Sequence, residues 1–169
     1  MPSLLSLIGF GVVALLWGVG SGRRLNLVKG RIERDWAEVA HFLKERSTLL
    51  FQMGREEVVE AHEALLSALQ EVEERGGPLR IRLSRLQEAE RGVQNALKNL
   101  PPEEQERVGE SSDRLLFATE TYNDGIRLLK RLSRLPFHLP FALFICPRGL
   151  DLFETGSFHG GAAKLPFSP

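Results

Sequence analysis

The stretch FQMGRE, residues 51–56, decides the fold. Upstream of it Trp36, Val39, Leu43, Arg46 and Leu50 recur at three-to-four spacing, and downstream Val58, Ala61, Leu65, Ala68 and Val72 do the same. Each set is one face of an amphipathic helix. From Leu50 to Val58 is eight residues, which leaves the two stripes about 80° out of phase on a 3.6-residue helix. Either one long helix twists its stripe, or the chain turns back at Gly54. Length favours the turn. With it, helices fall at 28–52, 55–75, 79–99 and 102–135, matched well enough for an antiparallel four-helix bundle with short connections. Without it, a helix spanning 28–75 would overhang its neighbours.

The other breaks are plainer. RGGPL at 75–79 has two glycines and a proline suited to the first turn of the next helix. In NLPPEEQE at 99–106, Pro102 suits the first helical position, and Glu103 and Glu104 favour the positive end of the helix dipole. Leu79, Leu83, Leu86, Val93, Leu97 and Leu100 mark the third stripe; Val108, Leu115, Ala118, Tyr122, Ile126 and Leu129 mark the fourth. The body, 23–135, is therefore expected to be all-α.

Ahead of it, residues 1–22 carry no charged side chain, and the apolar run from Leu4 to Val19 with its flanking glycines approaches the roughly 20 residues that span a bilayer. The expectation is a transmembrane helix. A signal peptide fits less well, because no lysine or arginine precedes the run and no clear cleavage site follows it. Arg23, Arg24, Lys29, Arg31 and Arg34 come just after it, which orients the N-terminus outside and the body in the cytoplasm. Ala14, Gly18 and Gly22 form a row of small residues through which two such helices can pair, giving a homo-oligomer.

Near the other end stands LPFHLPFALFICP, residues 135–147, apolar and interrupted by three prolines. It is too short and too broken to cross a membrane. Arg127, Lys130, Arg131 and Arg134 precede it. In an up-and-down bundle the fourth helix descends, so these residues would join Arg23 and Arg24 at anionic headgroups, at about 1 kcal/mol each. Phe137, Phe141 and Phe144 would embed at the interface. The competing reading is local: cations stabilise a helix C-terminus, and the apolar run packs over the open end of the bundle. Residues 136–169 read as an apolar and then flexible tail.

Little here points to chemistry. Lysine plus arginine equals aspartate plus glutamate at 22 each, so the net charge is zero, which argues against nucleic acid as a main partner. Cys146 is the only cysteine, which excludes an intrachain disulfide and a cysteine metal cluster. His62-Glu63 lacks the second histidine four residues on that a zinc helix needs. Ser111, Ser112 and Asp113 have no histidine at a readable spacing. No catalytic, metal or cofactor site is expected. An enzyme would need a polar cluster such as Asn123 with Glu120, His41 or His62. Trp36 and Tyr122 read as core side chains, the tyrosine hydroxyl finding a partner, and Asn123 as an amide bonded at a helix interface.

The segment ATETYNDGIRLLKRLSRLPFHLPFALFICPRGLDLFE, residues 118–154, resembles the C-terminal signature of the LemA family: a Tyr-Asn pair, Tyr122-Asn123; an apolar-Pro step, Leu135-Pro136; and a closing Phe-Glu, Phe153-Glu154. RIERDWAEVAHFLKERSTLL, 31–50, resembles the family's first bundle helix through Trp36, Leu43, Lys44, Arg46, Leu49 and Leu50. The second Tyr-Asn pair of the family is Leu129-Lys130 here. The resemblance implies a bacterial, membrane-anchored helical bundle without an established molecular activity, some relatives being linked to organising membranes. Taken together, the expectation is a non-enzymatic membrane scaffold in the cytoplasmic membrane, with the lipid bilayer as partner. An adaptor that binds another membrane protein is the alternative.

Overall fold

A computed structural model of the chain describes residues 4–54, 56–134 and 151–155, with side chains over 18–54, 58–134 and 151–155. The described residues form four helices and no strands: α1 (Leu4–Phe51), α2 (Glu56–Glu74), α3 (Ser84–Lys98) and α4 (Pro102–Ser133). Their lengths of 48, 19, 15 and 32 residues correspond to about 72, 28, 22 and 48 Å. Two long helices thus flank two short ones.

The chain does turn at Gly54. The last amides of α1 tighten onto it, Met53 N–H to the Leu50 carbonyl and Gly54 N–H to that of Phe51, both at 3.0 Å. Gly54 then takes φ +68°, a left-handed conformation open to glycine at little cost. At the α3–α4 corner Pro102 opens α4 with Glu103 and Glu104 in its first turn. The Gln105 side-chain amide donates to the Leu100 carbonyl at 2.9 Å and that of Leu97 at 3.3 Å, tying the first turn of α4 to the end of α3.

One boundary drawn from the sequence is absent. Residues 1–22 and 28–52 read as an anchor and a separate bundle helix, but the structure runs Leu4–Phe51 as one helix. Gly18, Gly20, Gly22 and Gly30 each weaken a helix by about 1 kcal/mol relative to alanine. None is a proline, and packing of Leu25 and Ile32, both 0% exposed, outweighs that preference. α3 also begins later than its stripe, because residues 79–83 form the turn while Leu79 and Leu83 stay buried.

α1 packs antiparallel on α4, and α2 on α3. Leu49 and Val108 line one cleft between α1 and α4, and Ile32 meets Gly125 further along. Leu49 to Ile32 and Val108 to Gly125 are both steps of seventeen residues, so the register holds. A further step of nine on each brings Arg134 level with Arg23. The buried side chains form one continuous core, running from Leu25 and Leu129 at that end to Leu50, Leu100 and Val108 at the other.

Among the described residues no helix is long and apolar enough to cross a membrane. Most of the apolar N-terminal run, up to Trp17, lies outside the described side chains. Pro136, Phe137, Phe141 and Phe144 lie outside the described residues altogether.

Candidate functional site

Where Trp36 of α1 faces α4, a slot opens, and the segment 151–155 fills it. Trp36, on the stripe that continues to Val39 and Leu43, points between the helices and is buried. Tyr122 lies beside it with ring centroids 5.2 Å apart. Phe153, 0% exposed, meets the edge of Trp36 at 5.9 Å with the rings at 84°, a favourable aromatic geometry.

The next residue on α4, Asn123, takes hold of the main chain of that phenylalanine. Its Nδ2 donates to the Phe153 carbonyl at 2.7 Å, and its Oδ1 accepts the Phe153 N–H at 2.9 Å. From α3, Gln87 Nε2 donates to the Leu152 carbonyl at 2.7 Å. Two side-chain amides thus do what the edge of a sheet does for an added strand. Trp36, Tyr122, Asn123 and Phe153, all among the residues that carry the family resemblance, come together here. Glu154 is exposed and makes no part of the slot. Within the tail, an aromatic slot and satisfied backbone groups thus hold residues 151–155.

The Tyr122 hydroxyl is buried without a hydrogen-bond partner among the described residues, contrary to the expectation that it finds one. Burial pushes its pKa well above its ordinary value of 10.0, and the nearby Asp151 carboxylate adds to the shift.

Lower in the body lies a buried ion pair. Arg46 Nη2 of α1 bonds Glu90 Oε2 of α3, their side chains 3% and 0% exposed. Glu90 Oε1 also accepts from Gln94 Nε2 at 3.0 Å, while Arg46 Nε has no partner among the described residues. Arg46 was legible as a member of an apolar stripe. Glu90 was missed, although it stands at the stripe position between Leu86 and Val93. Next to this pair the Ser47 hydroxyl bonds His62 Nδ1. This serine and histidine tie α1 to α2 in tight packing with no room for a substrate.

The groups that an enzyme would need together are apart. Asn123 is committed to Phe153, His62 to Ser47, and His41 and Glu120 are exposed. Among the described residues no three His, Cys, Asp or Glu side chains gather as metal ligands do.

The basic residues named from the sequence divide. Arg23, Arg24, Arg131 and Arg134 are exposed and Lys130 is half-buried. Arg127 is instead paired with Asp124 at 2.7 Å, a contact that its proximity in sequence (three residues) could have signalled. On the outer face of α1 and α4, Ala37, Phe42, Phe117 and Ala118 line an open groove rimmed by Glu38, His41, Asp113 and Arg114, and Phe117 is 73% exposed.

Fold and slot together define an all-helical bundle that holds its own C-terminal segment. Compared with protein-family models, with curated proteins and with solved structures, the chain matches none.

Proposed function

We propose that this protein is a membrane-anchored scaffold of the kind the LemA resemblance implies, with its apolar N-terminal run in the bacterial cytoplasmic membrane and its helical body at the inner leaflet. The observation that carries this reading is the antiparallel register of α1 and α4. It brings Lys130, Arg131 and Arg134 level with the stretch that holds Arg23 and Arg24, at the end from which the apolar run continues. Five cations on one end of a neutral protein suit an anionic surface, at about 1 kcal/mol each near the headgroups.

The test uses residues 23–169, which retain every buried apolar residue found among the described residues, with helicity checked by circular dichroism. This body sediments with vesicles containing phosphatidylglycerol and is released by salt. Replacing Arg23, Arg24, Lys130, Arg131 and Arg134 by glutamine abolishes the binding. A folded body that ignores anionic vesicles at low salt overturns the headgroup contact. Full-length chain that is released from membranes by alkaline carbonate overturns the anchor.

The groove around Phe117 favours a second reading, an adaptor for another membrane protein. Under it, Phe117→Asp removes a stoichiometric crosslinked partner and leaves vesicle binding unchanged.

A further inference from the structure

Three features make the Phe153 slot a recognition site in its own right rather than a patch of ordinary core. First, its hydrogen bonds go to main-chain atoms of two consecutive residues, Leu152 and Phe153, so what it reads is main chain together with one aromatic side chain. Second, the occupant makes no backbone hydrogen bond to a helix among the described residues; the two amides and the aromatic cage hold it. Third, the occupant hangs on a long tether. Phe153 binds at Asn123, eleven residues before Arg134 on α4, a rise of about 16 Å. The eighteen residues between Arg134 and Phe153 reach roughly 60 Å when extended, several times what the connection within one chain requires.

We propose that this slot also accepts the 151–155 segment of a second copy of the chain, so that two copies associate by exchanging their C-terminal segments. The contacts are the same whether the segment arrives in cis or in trans, which makes exchange a low-cost route to association. Which of the two prevails is a matter of concentration. A link of eighteen residues supplies an effective concentration on the order of millimolar, so dilute chains close on themselves and crowded ones exchange. The inference is independent of the membrane reading.

Two full-length variants test it. Phe153→Ala leaves the slot intact but its own segment unable to fill it; Asn123→Asp keeps the segment but removes the donor to the Phe153 carbonyl. With donor and acceptor fluorophores on the two variants, the mixture associates at least tenfold more tightly than either variant with itself. No association in the mixture, or equal association in each variant alone, overturns the proposal. A peptide of residues 148–155, RGLDLFET, is then titrated into Phe153→Ala in a Trp17→Phe background, read by Trp36 fluorescence. It binds there, and at least tenfold more weakly when Asn123→Asp is added. A peptide that leaves the vacant slot empty in the folded protein also overturns the proposal.

Discussion

Ile32 occupies the space that a side chain at Gly125 would need: a Cβ there would lie 2.8 Å from Ile32 Cγ1. The two helices approach this closely because one of them has no side chain at the crossing.

Gly125→Ala sets two effects against each other. Alanine improves helix propensity by about 1 kcal/mol, whereas overpacking a fixed core costs about 1–3 kcal/mol. Ile32 is 0% exposed, and the atom in the way, Cγ1, sits beside its branch point and not at a free end, so the clash wins and the melting temperature falls. Ile32→Ala in the same chain recovers part of the loss. A melting temperature that stays level or rises would place α1 and α4 further apart than described.

The Arg46–Glu90 pair answers differently to single and double replacement. Glu90→Ala strands a buried guanidinium, at a cost of about 3–5 kcal/mol, while Arg46→Met with Glu90→Leu removes both desolvated charges and returns to within about 1–2 kcal/mol of the parent. Urea titrations of the three proteins check this. Equal losses in the single and double variants would mean that the pair contributes through shape rather than charge.

Tyr122 is the only tyrosine in the chain, so its phenolate absorbance near 295 nm reports one site. Its pKa is raised by burial, and the unfolded chain therefore releases the proton first. This contribution to stability is full below about pH 10, the ordinary tyrosine value, and is lost as pH rises towards the folded pKa. The expected titration shows no phenolate just above pH 10 while the protein is folded, then a rise that coincides with loss of helicity. Tyr122→Phe, which removes a buried hydroxyl with no partner, leaves neutral-pH stability within about 1 kcal/mol of the parent. A phenolate that forms near pH 10 in the folded protein would contradict the burial.

Releasing Phe153 frees a segment rather than unfolding the body. Truncating a core phenylalanine costs about 3–5 kcal/mol where it cannot be avoided, but here the chain escapes by undocking 151–155, and local opening of this kind exposes only that segment. Phe153→Ala accordingly speeds protease cleavage within 135–155 at least tenfold and leaves a resistant core of α1 to α4. Digestion of the helices at the same rate would make the clasp integral to the whole fold.

The four helices were legible because each kept a single apolar face and because Gly54 coincided with a phase break. The continuity of α1 was not. A row of glycines followed by arginines looks like a border, and only the burial of Leu25 and Ile32 shows the helix passing through it. Trp36, Tyr122 and Phe153 carried a visible motif, yet their meeting depends on a contact between residues thirty apart, Asn123 and Phe153, made through backbone atoms that leave no trace in residue identity. Glu90 and Gly125 were hidden for related reasons. A carboxylate inside an apolar stripe looks like an error in the stripe until Arg46 is found opposite, and a glycine inside a helix explains itself only when Ile32 is in place.

α1 has no joint. No proline interrupts it between Leu4 and Phe51, and a helix fixes the angle between any two of its residues at about 100° per step. Whatever grips its first turns therefore also sets the compass bearing of Trp36, and with it the direction in which the slot for Phe153 faces. A twist applied at one end of an unbroken helix arrives at the other as a change of heading.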